Sequence, residues 1–262
     1  SKDVTKTERA NARAAQAEIY AAWAQYLRDD AADLEQEAVQ KATANPGTGD
    51  AAAAELRKRA QGLLNDAKDK ASKALSYARH AHGMAENLQT LRALAEATRV
   101  AGQPAAAVSK LLDKARARGQ KDPELHYTFA MLAYDGGDLA KAHARLRKTI
   151  ELSNQRTGKP FFRAQMRLAR VYVKRGKPNE AITVLQSITQ RNPSHARAQK
   201  LLSRTKAAAG AVAVRPPPVD AGAPVGTPDA GAPSDPMRPA SGGSGGGEPT
   251  GDYDTLVRKA ER

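Results

Sequence analysis

The chain has 262 residues, no cysteine, 4% aromatic residues and a net charge of +14. Missing cysteine excludes disulfides, thiolate metal sites and cysteine nucleophiles, and suits a reducing or an oxidising compartment equally. The longest apolar runs fall well short of the roughly 18 residues that a membrane span needs. Alanine dominates, with Leu, Glu, Lys, Arg and Gln, and β-branched residues are sparse, so an all-α fold is expected. Large apolar side chains are too few for a thick core, so helices must approach closely through alanine. Ser1-Lys2-Asp3 lacks an initiator Met and does not resemble a signal peptide. The chain therefore reads as a processed protein or an excised fragment, with any anchor or targeting segment outside it.

From the N-terminus, Tyr20, Trp23, Leu27, Ala31, Leu34 and Ala38 recur at steps of three and four. Leu56, Ala60, Leu63, Ala67, Ala71, Ala74, Ala78 and Ala81 repeat the pattern. Both are heptad-like seams whose small residues imply closely spaced helices. Asn45-Pro46-Gly47-Thr48-Gly49-Asp50 separates them, with Asp50 as N-cap. A long antiparallel hairpin, 3–44 and 50–82, is expected as a unit spanning 1–83, with Gly83 dividing it from the next unit.

Residues 84–210 carry internal repeats. In 162–195, Leu168-Ala169, Tyr172, Gly176, Ala181, Leu185, Ile188 and Pro193 fall in order. In 123–156, Phe129-Ala130, Ala133, Gly137, Ala142 and Leu146 take corresponding positions; in 88–121, Leu91, Leu94-Ala95, Gly102, Ala107 and Leu111 do. A glycine ends each first helix in a left-handed cap, alanines let the helices approach, and Pro104 and Pro178 sit where a second helix starts. This spacing resembles the tetratricopeptide repeat, a helix–turn–helix unit of 34 residues. The resemblance implies an α-solenoid of about three repeats. Residues 157–161 are extra, and should loop out or lengthen a helix. Residues 194–209, ending at Gly210, read as a capping helix with a polar outer face.

Residues 211–251 hold Arg215-Pro216-Pro217-Pro218, two Asp-Ala-Gly-Ala-Pro runs and a Gly/Ser run, the composition of a disordered linker. Such stretches resemble interdomain linkers of large multidomain proteins from high-GC bacteria. Either the cytoplasm or the periplasmic, cell-envelope side of an anchored bacterial protein accommodates the chain. Residues 252–262 regain helical character and read as the start of a further module or a docking peptide.

No chemistry is placed by a motif. His80, His82, His126, His143 and His195 are scattered, and neighbours two apart on a helix cannot share a metal. Asp29-Asp30 and Glu35/Glu37 read as a solvated polar face without a pocket to raise a pKa. The glycine run 242–247 lacks the lysine of a phosphate loop. Neither enzyme nor cofactor is expected. Arg163, Arg167, Arg170 and Lys174 follow i, i+4, i+7 and i+11, one stripe on one helix face. The resemblance implies that such first-helix positions line a concave groove, where Arg92, Glu96 and Arg99 join from the first unit and Tyr127, Met131 and Tyr134 from the second. An aromatic centre flanked by arginine suits an acidic or amphipathic protein segment. Protein–protein scaffolding is therefore the expected function, with self-association through the hairpin as the alternative. The net charge invites nucleic acid as a third reading, but few aromatics and no nucleic-acid motif argue against it.

Overall fold

The computed structural model describes residues 5–213, with side chains as far as 210, and these lie in one compact unit. The linker and final helix expected beyond residue 213 lie outside the described residues. Helices run in the order α1 (Lys6–Ala44), α2 (Gly49–Met84), α3 (Leu88–Val100), α4 (Ala105–Arg116), α5 (Pro123–Asp135), α6 (Leu139–Thr157), α7 (Phe162–Lys174), α8 (Pro178–Arg191) and α9 (Ala196–Ala213). No described helix is long and apolar enough to cross a membrane.

The first 39-residue helix, about 58 Å long at 1.5 Å per residue, starts at a capping box in which Thr5 and Glu8 satisfy each other's backbone N–H. Its buried seam is nearly all alanine: Ala10, Ala14, Ala17, Ala21, Ala24, Leu27, Ala31 and Ala38. On α2, Ala53, Leu56, Ala60, Ala67, Ala71, Ala74, Ala78 and Ala81 answer it. Without side chains beyond Cβ the two backbones approach closely, as the composition requires. The aromatic seam expected from the sequence is corrected by the fold. Trp23 stands 48% exposed on the flank, stacked with Tyr20, because the alanines at 21 and 24 take the contact line.

Three boundaries differ from expectation. Gly83 stays helical, and the break falls at Ala85, after which Asn87 and Thr90 form a capping box that starts α3. Thr48 rather than Asp50 occupies the N-cap of α2, without a side-chain bond. The last helix passes through Gly210. A glycine in a helix costs about 1 kcal/mol against alanine, and no competing turn supplies the alternative at 83 or 210.

The repeats are in register at the level of single hydrogen bonds. Gly102, Gly137 and Gly176 adopt φ of 70°, 79° and 70°. The N–H after each glycine donates five residues back, Gln103 to Thr98, Asp138 to Ala133 and Lys177 to Tyr172, at 2.9–3.1 Å. Each glycine N–H donates three back, to Arg99, Tyr134 and Val173. This is the Schellman closure, and only a residue that tolerates positive φ makes it without strain. Of residues 157–161 only Thr157 joins α6, whose 19 residues end at Gly158, at φ 62°, and the other four form the connection to α7. Leu91, Val108, Leu112 and Leu125 fill the core between the first two units. Met131, Leu146, Leu168 and Val171 fill the next, and Leu185, Ile188 and Ala198 seal the last against α9.

Candidate functional site

The arginine stripe lies on α7, where Arg167 is buried and Arg170 half-buried, while Arg163 and Lys174 at its ends are exposed. Helix α1 meets it. Glu18 accepts from Arg92 Nε at 2.8 Å and lies 2.7 Å from its Nη2. Gln25 accepts from Arg99 at 3.0 Å. Asp29 accepts twice from Arg167 Nη2, at 2.9 and 2.8 Å. Arg170 grips Asp33 with both Nη atoms, at 3.1 and 2.8 Å. From α9, Arg197 reaches Asp30 at 2.6 Å, and Arg204 reaches Asp33 at 3.1 Å. Successive turns of α1 thus answer α3, then α7 and α9.

These acids are the functional residues that sequence reasoning misses, since Asp29 and Asp30 sit in a stretch that reads as solvated. A signal for them exists in the sequence. Between Leu139 and Ala213 seventeen Lys and Arg residues face only Glu151 and Glu180, so their counter-charge must come from elsewhere in the chain. Asp29 and Asp33, four apart, present that charge on one face of a helix.

The other expected site residues divide clearly. Arg99 is almost fully buried and forks onto Glu96 at 3.0 and 2.8 Å, so each neutralises the other. Met131 is wholly enclosed in the core between α5 and α7, which corrects its placement on the groove surface. The cations of Arg167 and Lys174 lie 4.8 and 4.3 Å from the Tyr134 ring centroid. Arg163 lies over Tyr127 at 4.7 Å and bonds Glu124. Arg92 also holds Asp122, the N-cap of α5. His126 bonds the Gln120 carbonyl and His143 the Tyr172 hydroxyl, both packing roles.

Burial and charge work against each other along α1. For Glu18, burial dominates and raises the pKa despite Arg92. For Asp29, burial also pushes upward, but Arg167, Arg170 and a hydrogen bond from Gln25 outweigh it, leaving the pKa below the ordinary carboxylate value.

Helix α1 does not fill the groove completely. A cavity of about 290 Å³ remains between it and the first helices, walled by Ala22, Tyr26, Tyr127, Met166, Arg163 and His195. Beside it, Ile19, Trp23 and Tyr26 stand 65%, 48% and 44% exposed at i, i+4 and i+7, an apolar ridge along the outer face of α1.

Residues 133–205 match the family model described as tetratricopeptide repeat. Within that segment Gly137 and Gly176 close their turns with the same pair of hydrogen bonds. Residues 133–205 carry tetratricopeptide repeats. The TPR array is similar to solved structures of low sequence identity. The MamA protein is 19% identical over 59% of this chain and 78% of that one, at a TM-score of 0.41. A thermophilic TPR protein of Thermus thermophilus is 15% identical over 67% and 98%, at 0.46. YrrB, described as a TPR protein with an unusual peptide-binding site, is 18% identical over 69% and 89%, at 0.40. No curated protein matches the chain. In this TPR array the groove is lined by first helices and closed along one side by α1.

Proposed function

We propose that the chain is a non-enzymatic protein-binding scaffold. Its partner supplies an acidic, amphipathic segment that lies in the slot between the α1 ridge and Arg163 of α7 and the half-buried Arg197 of α9. The observation that carries this reading is the cavity beside that ridge, where apolar rings and guanidinium groups share one opening. Apolar anchors ringed by arginine are the composition of interface hot spots. The segment cannot take the whole groove, because Asp29 and Asp33 hold Arg167 and Arg170. Catalysis finds no support, since Glu96 and Asp29, the carboxylates lining the cavity, are both spent on arginine. The test is capture of source-cell proteins by the full chain, compared with Trp23→Ala and Arg163→Glu variants of unchanged helicity. Partners held by the wild type should be lost from both variants; partners retained by both overturn the slot. The second reading, self-association through the hairpin, draws on the same exposed ridge, and sedimentation equilibrium of wild type against Trp23→Ala separates it.

A further inference from the structure

The polar groups around the cavity are donors with unspent capacity. Tyr127 is 3% exposed, and its hydroxyl has no hydrogen-bond partner among the described residues. Arg163 uses one Nη on Glu124, and Arg197 uses one Nη on Asp30 and the Tyr26 carbonyl. The Ala198 N–H donates to His195 Nδ1 at 3.2 Å, which places the proton of the neutral ring on Nε2. The two carboxylates in the wall are each paired with an arginine. Glu96 is forked by Arg99, and Asp29 is held by Arg167 and Gln25.

A cavity with free guanidinium and hydroxyl donors, and with its own carboxylates already paired, favours an anion. Its apolar wall, from Ala22, Met166 and the rings of Tyr26 and Tyr127, selects one attached to carbon. Its volume, about 290 Å³, falls at the bottom of the range for small-molecule sites, so it suits one side chain better than a nucleotide. We propose that the cavity receives one carboxylate side chain of the docked segment, held by Arg163, Arg197, Tyr127 and His195. This rests on the scaffold reading above and names the chemistry at its centre. Guanidinium and carboxylate match in shape, and a charge-assisted pair in a half-enclosed site is worth more than a neutral one.

The full chain with labelled methionine methyls reports on this directly, because Met166 lines the cavity whereas Met131 is enclosed in the core. Titration with 3-phenylpropionate should shift the Met166 methyl saturably. Its amide, 3-phenylpropionamide, should bind about tenfold more weakly, the ratio expected for losing one charge-assisted contact. Tyr127→Phe, which removes only the hydroxyl, and Arg163→Gln should each weaken the acid and leave the amide unchanged. Equal binding of acid and amide, tighter binding of inorganic phosphate, or a Met166 methyl that ignores the acid each overturns the proposal. If Met166 is silent while Trp23→Ala still loses captured partners, the carboxylate pocket falls and the scaffold reading stands. If both fail, both fall.

Discussion

Helix α1 is held on two sides by two different kinds of force. Against α2 it buries Ala14, Ala17, Ala21 and Ala24 on Ala71, Ala74 and Ala78, an apolar alanine seam. Against α7 and α9 it offers Asp29, Asp30 and Asp33 to Arg167, Arg170, Arg197 and Arg204. The first contact depends on shape and is indifferent to pH and salt. The second depends on keeping carboxylates ionised and is partly screened by salt, less so where the pair is buried. One helix therefore joins a rigid hairpin to a repeat array through an electrostatic face, and the two sides should respond to different perturbations.

The largest effect is expected where the groove is most enclosed. Arg99 is 2% exposed, and Arg99→Met leaves the Glu96 carboxylate buried without its partner, a loss of about 3–5 kcal/mol in urea unfolding. Next comes the alanine seam. Ala21→Leu forces the hairpin apart at a fully buried position and should cost about 1–3 kcal/mol, equally at low and high salt. A salt-dependent loss there would break the comparison. Acid should act on the ionic side alone. Asp29 has a folded pKa below its ordinary 3.8, so its stabilisation is complete above that value and is lost as pH falls through and below it. Glu18, raised by burial, works in the opposite sense and gains as pH falls. The unfolding midpoint should therefore drop as pH falls below 3.8, and Asp29→Asn should flatten that drop; an unchanged slope in this variant contradicts the assignment. The smallest effect belongs to Arg118, whose contact with Glu86 is exposed on both sides. Arg118→Ala should shift stability by no more than about 0.5 kcal/mol.

Much of the fold is readable from local chemistry. Gly102, Gly137 and Gly176 announce their turns because no other residue closes them cheaply, and the alanine runs announce close helices. Glycine misleads at 83 and 210, where nothing competes with the helix. Trp23 misleads because steps of three and four fit two adjacent faces of a long helix, and its own bulk puts it on the outer one. The site is half legible. Its arginines share a face by periodicity, but Arg167 and Asp29 lie 138 residues apart, and no period links such positions. The charge imbalance after Leu139 points to a distant acidic partner without saying which one. Met131 falls on a groove position by register, while the packing of α7 on α5 takes it into the core.

The central claim is that the α1 acids and the α7 arginines neutralise one another across the groove. A double-mutant cycle on Asp29→Ala and Arg167→Ala, followed by urea unfolding at low and at high salt, measures that contact itself. The account predicts a coupling of about 2 kcal/mol or more that shrinks in salt. Additivity of the two substitutions within about 0.5 kcal/mol would contradict it.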